Sequence, residues 1–258
     1  MNAGIAVLRC ALMYLIVLHH TICHTSHATN FTLLPVFLLT IPSVDGFLSI
    51  SGLFGIKFSW RKCGVIAGQI LFYAAVSSGF SFVAASLGWI EKPIIAVGNA
   101  WYGVAYLALM MVCPILNAGL SSLVAVGELR RFFFVLSVLL VGDYLSRAIG
   151  LGFSVAGFGS HTFATFFLVY CLMRLCVLSG MSKSRKFECC GLICFIVFAC
   201  VFLSIRLLGG GGTNCVEVLG KYGFYNCPLV VMAAMALTSF FARLKAPRGL
   251  SRVATFVG

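Results

Sequence analysis

Charge is what this chain has least of. Only 9% of its 258 residues are Asp, Glu, Lys or Arg, and just six are acidic, against about 25% charged residues in an ordinary soluble domain. With 61% hydrophobic residues and a mean hydropathy of +1.08, this composition excludes a water-soluble fold. It predicts an all-α, polytopic transmembrane helical bundle. No polar stretch is long enough for a second domain, so residues 1–258 read as a single integral membrane domain. No Cys/His cluster has zinc-ligand spacing, and neither a metal nor a tightly bound cofactor is indicated. No Lys or Arg precedes Arg9, so the first apolar run reads as a membrane helix and not as a signal peptide. There is no internal repeat, which disfavours transporter folds built from repeated halves. The run Gly209–Gly212 has no Lys-Ser/Thr after it and is not a phosphate loop. No G-x-S-x-G motif supports a serine nucleophile.

Cysteine is plentiful, with twelve residues, but the pattern is not that of a disulfide scaffold. Cys10, Cys113, Cys171, Cys176, Cys194 and Cys200 lie inside apolar segments, where a thiol behaves as a small hydrophobe. Cys189 and Cys190 fall at an expected cytoplasmic edge and stay reduced there. Cys215 and Cys227 share an expected external loop and are the one pair positioned to join.

Apolar stretches of spanning length fall at about 3–22, 33–56, 63–87, 97–119, 132–150, 161–180, 189–208 and 228–244, which predicts eight spans. Twelve of the 18 basic residues then occupy every second loop: Lys57, Arg61, Lys62, Arg130, Arg131, Lys183, Arg185, Lys186, Arg243, Lys245, Arg248 and Arg252. Four, Lys92, Arg147, Arg206 and Lys221, fall on the other side, so the N-terminus is expected in the cytoplasm. The net charge of +12 thus reports topology, and no nucleic-acid partner is implied.

Within Gly4 to Thr21 (GIAVLRCALMYLIVLHHT) two ionisable side chains stand out. A charge at the bilayer centre costs roughly 2.5–3.5 kcal/mol even on insertion scales, so such residues are candidates for function. Arg9 and His20 are eleven residues apart, and eleven residues turn a helix by about 1,100°, three turns plus roughly 20°. They therefore share one face about 16 Å apart.

Three stretches together resemble the membrane-bound acyltransferase family 3, bacterial enzymes that O-acylate surface glycans. Arg9–His20 matches the family's Arg-x10-His element. Val44–Gly55 (VDGFLSISGLFG) is similar to its aromatic-rich stretch ending in Ser-Gly, here Ser51-Gly52, with Lys57, Arg61 and Lys62 following. Trp101–Asn117 (WYGVAYLALMMVCPILN) is similar to a Trp-aromatic, Tyr-Leu, Pro-Leu-Asn helix of shorter members. The resemblance covers roughly the first half of the chain. Many members carry a glutamate in the fourth-helix motif where this chain has Ala105 and Tyr106, and members commonly have ten spans. Leu250–Gly258 reads as the start of a further helix, so the chain is expected to be C-terminally truncated relative to the family.

The resemblance implies an enzyme of the bacterial cytoplasmic (inner) membrane. It would move an acyl group, acetyl in the first instance, from acyl-CoA to a hydroxyl of an envelope or exported polysaccharide or a lipid-linked sugar. His20 would be the base and Arg9 would hold the donor or stabilise developing negative charge. Plainer readings stand beside these. His20 can cap the helix at the interface, and Arg9 can pair with Asp45 or Asp143. Ser51 and Gly52 can contact the thioester or only pack helices closely. Arg61 and Lys62 can meet the donor's phosphates or lipid headgroups. Trp101, Tyr102 and Tyr106 can line a sugar site or an aromatic belt. His19 is about 100° round the helix and reads as a bystander, His24 as the substitute imidazole, and Asp143 and Arg147 as a one-turn pair. Two other functions fit the sequence: a transporter or export subunit using Arg9 and Asp45 as a substrate or proton path, and an inactive truncated family member.

Overall fold

The computed structural model describes residues 2–24, 34–89, 91–92, 101–149, 163–208 and 226–244, and these are all-helical apart from turns and short connections. The helices are α1 (Ala3–His24), α2 (Leu34–Thr40), α3 (Ser43–Phe54), α4 (Trp60–Ser86), α5 (Trp101–Ala125), α6 (Leu129–Ala148), α7 (Phe163–Leu178), α8 (Arg185–Leu208) and α9 (Pro228–Arg243). Five helical segments among the described residues are long and apolar enough to cross a membrane: α1, α2–α3, α4, α5 and α8. α7 and α9 are apolar but only 16 residues each. Each of the eight apolar stretches is helical over most of its described residues, and five of them meet the length and hydropathy of a span by themselves.

The second stretch, expected as one helix over 33–56, is split at Ile41-Pro42. Proline has no N–H to continue the ladder. Neighbouring hydroxyls take up freed carbonyls, as Thr40 Oγ1 donates to Phe37 O at 2.6 Å and Ser43 Oγ donates to Thr40 O. The segment is also the most buried of the spanning-length ones, while α4, α5 and α8 expose most of their surface. Exposed Leu71, Phe72, Tyr73 and Phe80 on α4 suit a lipid-facing surface.

α3 is the centre of the bundle, packed on α7, α9 and α1. Ile5, Leu8 and Leu12 recur at helical spacing along α1 and are buried against Ile50 of α3, with Phe47, Phe241 and Ala242 around them. A Cβ on Gly46 would meet Leu12 at 2.8 Å, and one on Gly52 would meet the Tyr170 carbonyl and Met173 Cβ of α7, both at 2.8 Å. Small residues therefore set how closely α3 approaches both neighbours. α3 ends at Gly55, whose φ of 72° is a left-handed conformation that glycine adopts without strain.

Asn2 joins the start of α1 to the end of α9 through a bond to Ala242 O. Arg243, also at the end of α9, pairs with Glu188 at the start of α8 and donates to Lys183 O at 3.3 Å. One end of the bundle therefore gathers the starts of α1 and α8, the ends of α3, α7 and α9, and the basic residues Lys57, Arg61, Lys62, Lys183, Arg185, Lys186 and Arg243. We call this the basic end.

Replacing Gly52 with Val should lower stability by about 1–3 kcal/mol through overpacking. Gly68→Ala, where a Cβ meets nothing within 4 Å, should be tolerated. Thermal unfolding of both variants in detergent micelles checks the contrast.

Candidate functional site

α1 is continuous from Ala3 to His24, so Arg9 and His20 do share a flank three turns apart. That flank is roughly a quarter turn away from the buried Ile5–Leu8–Leu12 stripe. Arg9 is half-buried and His20 is exposed. The side chain of His24 lies outside the described residues.

His19, expected as a bystander, turns inward. Its Nδ1 lies 2.8 Å from Thr40 Oγ1, and its ring stacks on Phe37 at 4.9 Å between centroids. The same Thr40 hydroxyl lies 2.6 Å from Phe37 O, so it links the imidazole to the last turn of α2. His20 meets His19 edge to face at 5.8 Å. The helical wheel alone missed this, because the Thr40 partner comes from the helix break at Pro42.

The second group forms where α3 meets α5 and α7. Ser51 Oγ lies 3.2 Å from Tyr106 OH and donates to Phe47 O at 3.1 Å. The Ser51 and Tyr106 hydroxyls can each donate or accept in this contact. Tyr106 stacks with Tyr102 at 6.2 Å, and Tyr102 and Trp101 both pack on Phe166 of α7 at 5.0 and 5.8 Å. The sequence candidates Ser51, Trp101 and Tyr106 are therefore brought into one wall, with Phe166 as a member that sequence did not single out. Gly52 is not on this wall. It is filled by α7 and serves packing.

Asp45 lies two turns before Ser51. It is 0% exposed, and neither carboxylate oxygen has a hydrogen-bond partner among the described residues. Of the two partners considered for Arg9, Asp45 is not joined to it. The carboxyl is near enough to Tyr102 and to Cys227 at the start of α9 to interact with both electrostatically. Burying an uncompensated carboxylate costs several kcal/mol, a penalty that a buried carboxyl escapes by holding its proton. Asn226 Nδ2 donates to Asp143 Oδ2; the Arg147 side chain, considered as a partner of Asp143, lies outside the described residues. Cys227 carries a free, buried thiol, and Cys215, considered as its partner, lies outside the described residues.

A third cluster holds the connection after α3. Tyr170 OH donates to Asn117 Oδ1 at 2.7 Å and accepts from Ile56 N at 3.1 Å, and Asn117 Nδ2 donates to Ile56 O at 3.0 Å. Beside it the Arg174 guanidinium carbon lies 3.1 Å from where a Gly55 Cβ would be. An arginine within an apolar helix was the available signal for Arg174. Arg61, Lys62 and Lys57 are exposed at this same basic end.

Because α3 runs antiparallel to α1, with Gly46 on Leu12 and Ile50 among Ile5, Leu8 and Leu12, Ser51 falls near the depth of Arg9. His20 sits at the depth of Thr40. The candidates thus divide into Arg9, Ser51, Tyr106, Arg61 and Lys62 toward the basic end, and His20, Asp45 and Trp101 toward the other. Among the described residues no group of three or more His, Cys, Asp or Glu is placed to hold a metal ion.

Tyr170→Phe should strand Ile56 N and one lone pair of Asn117, at about 1–3 kcal/mol for the buried unsatisfied groups. The check is a lowered unfolding midpoint in micelles, alongside Tyr73→Phe on the exposed face of α4, which should leave it unchanged.

Comparison with family models, curated proteins and solved structures returns no match for this chain.

Proposed function

We propose that this protein is a membrane-embedded O-acyltransferase of the bacterial cytoplasmic membrane, with eight spans and a cytoplasmic N-terminus. It would transfer an acyl group, acetyl in the simplest case, from acyl-CoA to a hydroxyl of an envelope or exported polysaccharide or its lipid-linked precursor. The observation that carries the reading is the unbroken α1, which keeps Arg9 and His20 on one flank about 16 Å apart. The Ser51–Tyr106 contact supports it, since two residues of separate family-like motifs meet at 3.2 Å.

In this reading the sugar hydroxyl oxygen attacks the thioester carbonyl. His20 accepts the hydroxyl proton, the C–S bond breaks, and the coenzyme leaves as its thiolate. Arg9 supplies positive charge in a low-dielectric setting, either to the donor or to the developing oxyanion. Lys57, Arg61 and Lys62, joined by Arg174, offer cationic contacts for the donor's phosphates at the basic end. The arm of the donor then extends along α1 toward His20. Trp101 and Tyr106 would stack on the acceptor sugar.

A second reading draws on Asp45. A fully buried carboxyl with both oxygens unpartnered also suits a proton or substrate path in a transporter. The two readings separate on thioester dependence, because transport needs no acyl donor.

Membranes carrying the chain should transfer label from radiolabelled acetyl-CoA to envelope glycan. The His20→Ala variant should lose roughly 10²–10⁴-fold of that rate, the usual worth of a general base, while inserting normally. Undiminished label in His20→Ala would remove His20 from the reaction. If loss appears in His19→Ala alone, the base is the inward imidazole. Absence of label from the unaltered chain, with Asp45→Asn abolishing proton-coupled flux, would favour transport.

A further inference from the structure

A cavity of about 590 Å³ lies between α1, α8 and α9 and is floored by the α2–α3 junction. Its volume is within the range of about 300–1,000 Å³ typical of small-ligand sites. The walls are apolar side chains such as Leu12, Leu15, Leu192, Phe195, Leu237 and Phe240. α1 and α8 each pack on α9 and do not pack extensively on each other, so the gap between them opens sideways. Where it opens, the surroundings at membrane depth offer hydrocarbon tails or apolar helices. An α-helix is about 10–12 Å across with its side chains, too thick for this cavity to enclose, whereas a single hydrocarbon chain is not.

The charge at one end identifies the head of the ligand. The cavity reaches the first turn of α8 at Glu188 and Cys189. Glu188 is already paired with Arg243. Lys183, Arg185 and Lys186 are exposed next to this end, so four cations face one carboxylate. An apolar slot that ends in a net positive mouth matches a lipid with a phosphate head and a hydrocarbon tail. We propose that this groove is a binding site for one tail of an anionic phospholipid, with its phosphate held by Arg185, Lys186 and neighbouring cations. The site does not rest on the acyl-transfer reading. Leu15 is turned about 120° round α1 from Arg9, so the groove and the Arg9–His20 flank are on different sides of that helix.

The test uses the purified full chain in detergent, titrated with phosphatidylglycerol or with phosphatidylcholine of the same acyl chains, with bound lipid counted by native mass spectrometry. Phosphatidylglycerol should be retained about tenfold more tightly, equivalent to about 1.4 kcal/mol. Leu192→Trp, which fills the groove from an exposed wall position, should weaken both lipids. Arg185→Gln with Lys186→Gln should erase the preference while leaving tail binding. Arg130→Gln with Arg131→Gln, cations at the start of α6, should leave the preference intact. Equal retention of the two lipids, or insensitivity to Leu192→Trp, would overturn the site. So would displacement of phosphatidylglycerol by excess inorganic phosphate, which would mean that only the head is held.

Discussion

The close approach of α3 to α7 at Gly52 fixes the position of most of the groups described above. A Cβ at that position would sit 2.8 Å from the Tyr170 carbonyl, so only glycine lets the two backbones come this near. The approach places the Tyr170 phenol on Ile56 and Asn117, which ties the end of α3 to α5. It also puts Arg174 against Gly55. With α5 held in this way, Tyr106 reaches Ser51 and the aromatic wall closes over Phe166. In a membrane no hydrophobic gain drives one helix against another, so small residues and buried hydrogen bonds must supply the association. Gly52 and Tyr170 contribute one of each at the same crossing.

The bundle separates its polar groups by depth. Arginine and lysine gather at one end, and the few buried acidic and amide groups lie toward the other, with Asp45 near Tyr102 and Cys227 and with Asp143 held by Asn226. Between the ends α1 carries one ionisable group at each depth. A donor with phosphates would meet the first zone and an acceptor hydroxyl the second, which is why the Arg-x10-His spacing is compatible with a reaction that spans the thickness of the bundle. The same separation would serve a proton path, since Asp45 is the one buried carboxyl among the described residues with both oxygens unpartnered.

The Pro42 break shows how an apparent fault supports a site. Splitting α2 from α3 frees backbone carbonyls, and Thr40 and Ser43 answer them with their hydroxyls. The Thr40 hydroxyl also meets Nδ1 of His19 at 2.8 Å. A local backbone irregularity thereby brings a hydroxyl to an imidazole on a different helix.

The helical class, the apolar segments and the placing of basic residues in the connections between them were legible in the sequence, because hydropathy over a span and the spacing of Lys and Arg act through composition and position along the chain. The shared flank of Arg9 and His20 was legible too, because a continuous helix repeats every 3.6 residues. What the tertiary structure alone decided were the partners across helices: His19 with Thr40, Ser51 with Tyr106, Asn226 with Asp143, Tyr170 with Asn117, and the isolation of Asp45 from Arg9. Each depends on how far apart two helices sit and how they are rotated about their axes. Those quantities are set by side-chain fit over the whole contact, down to a single missing Cβ at Gly52, and no local periodicity encodes them.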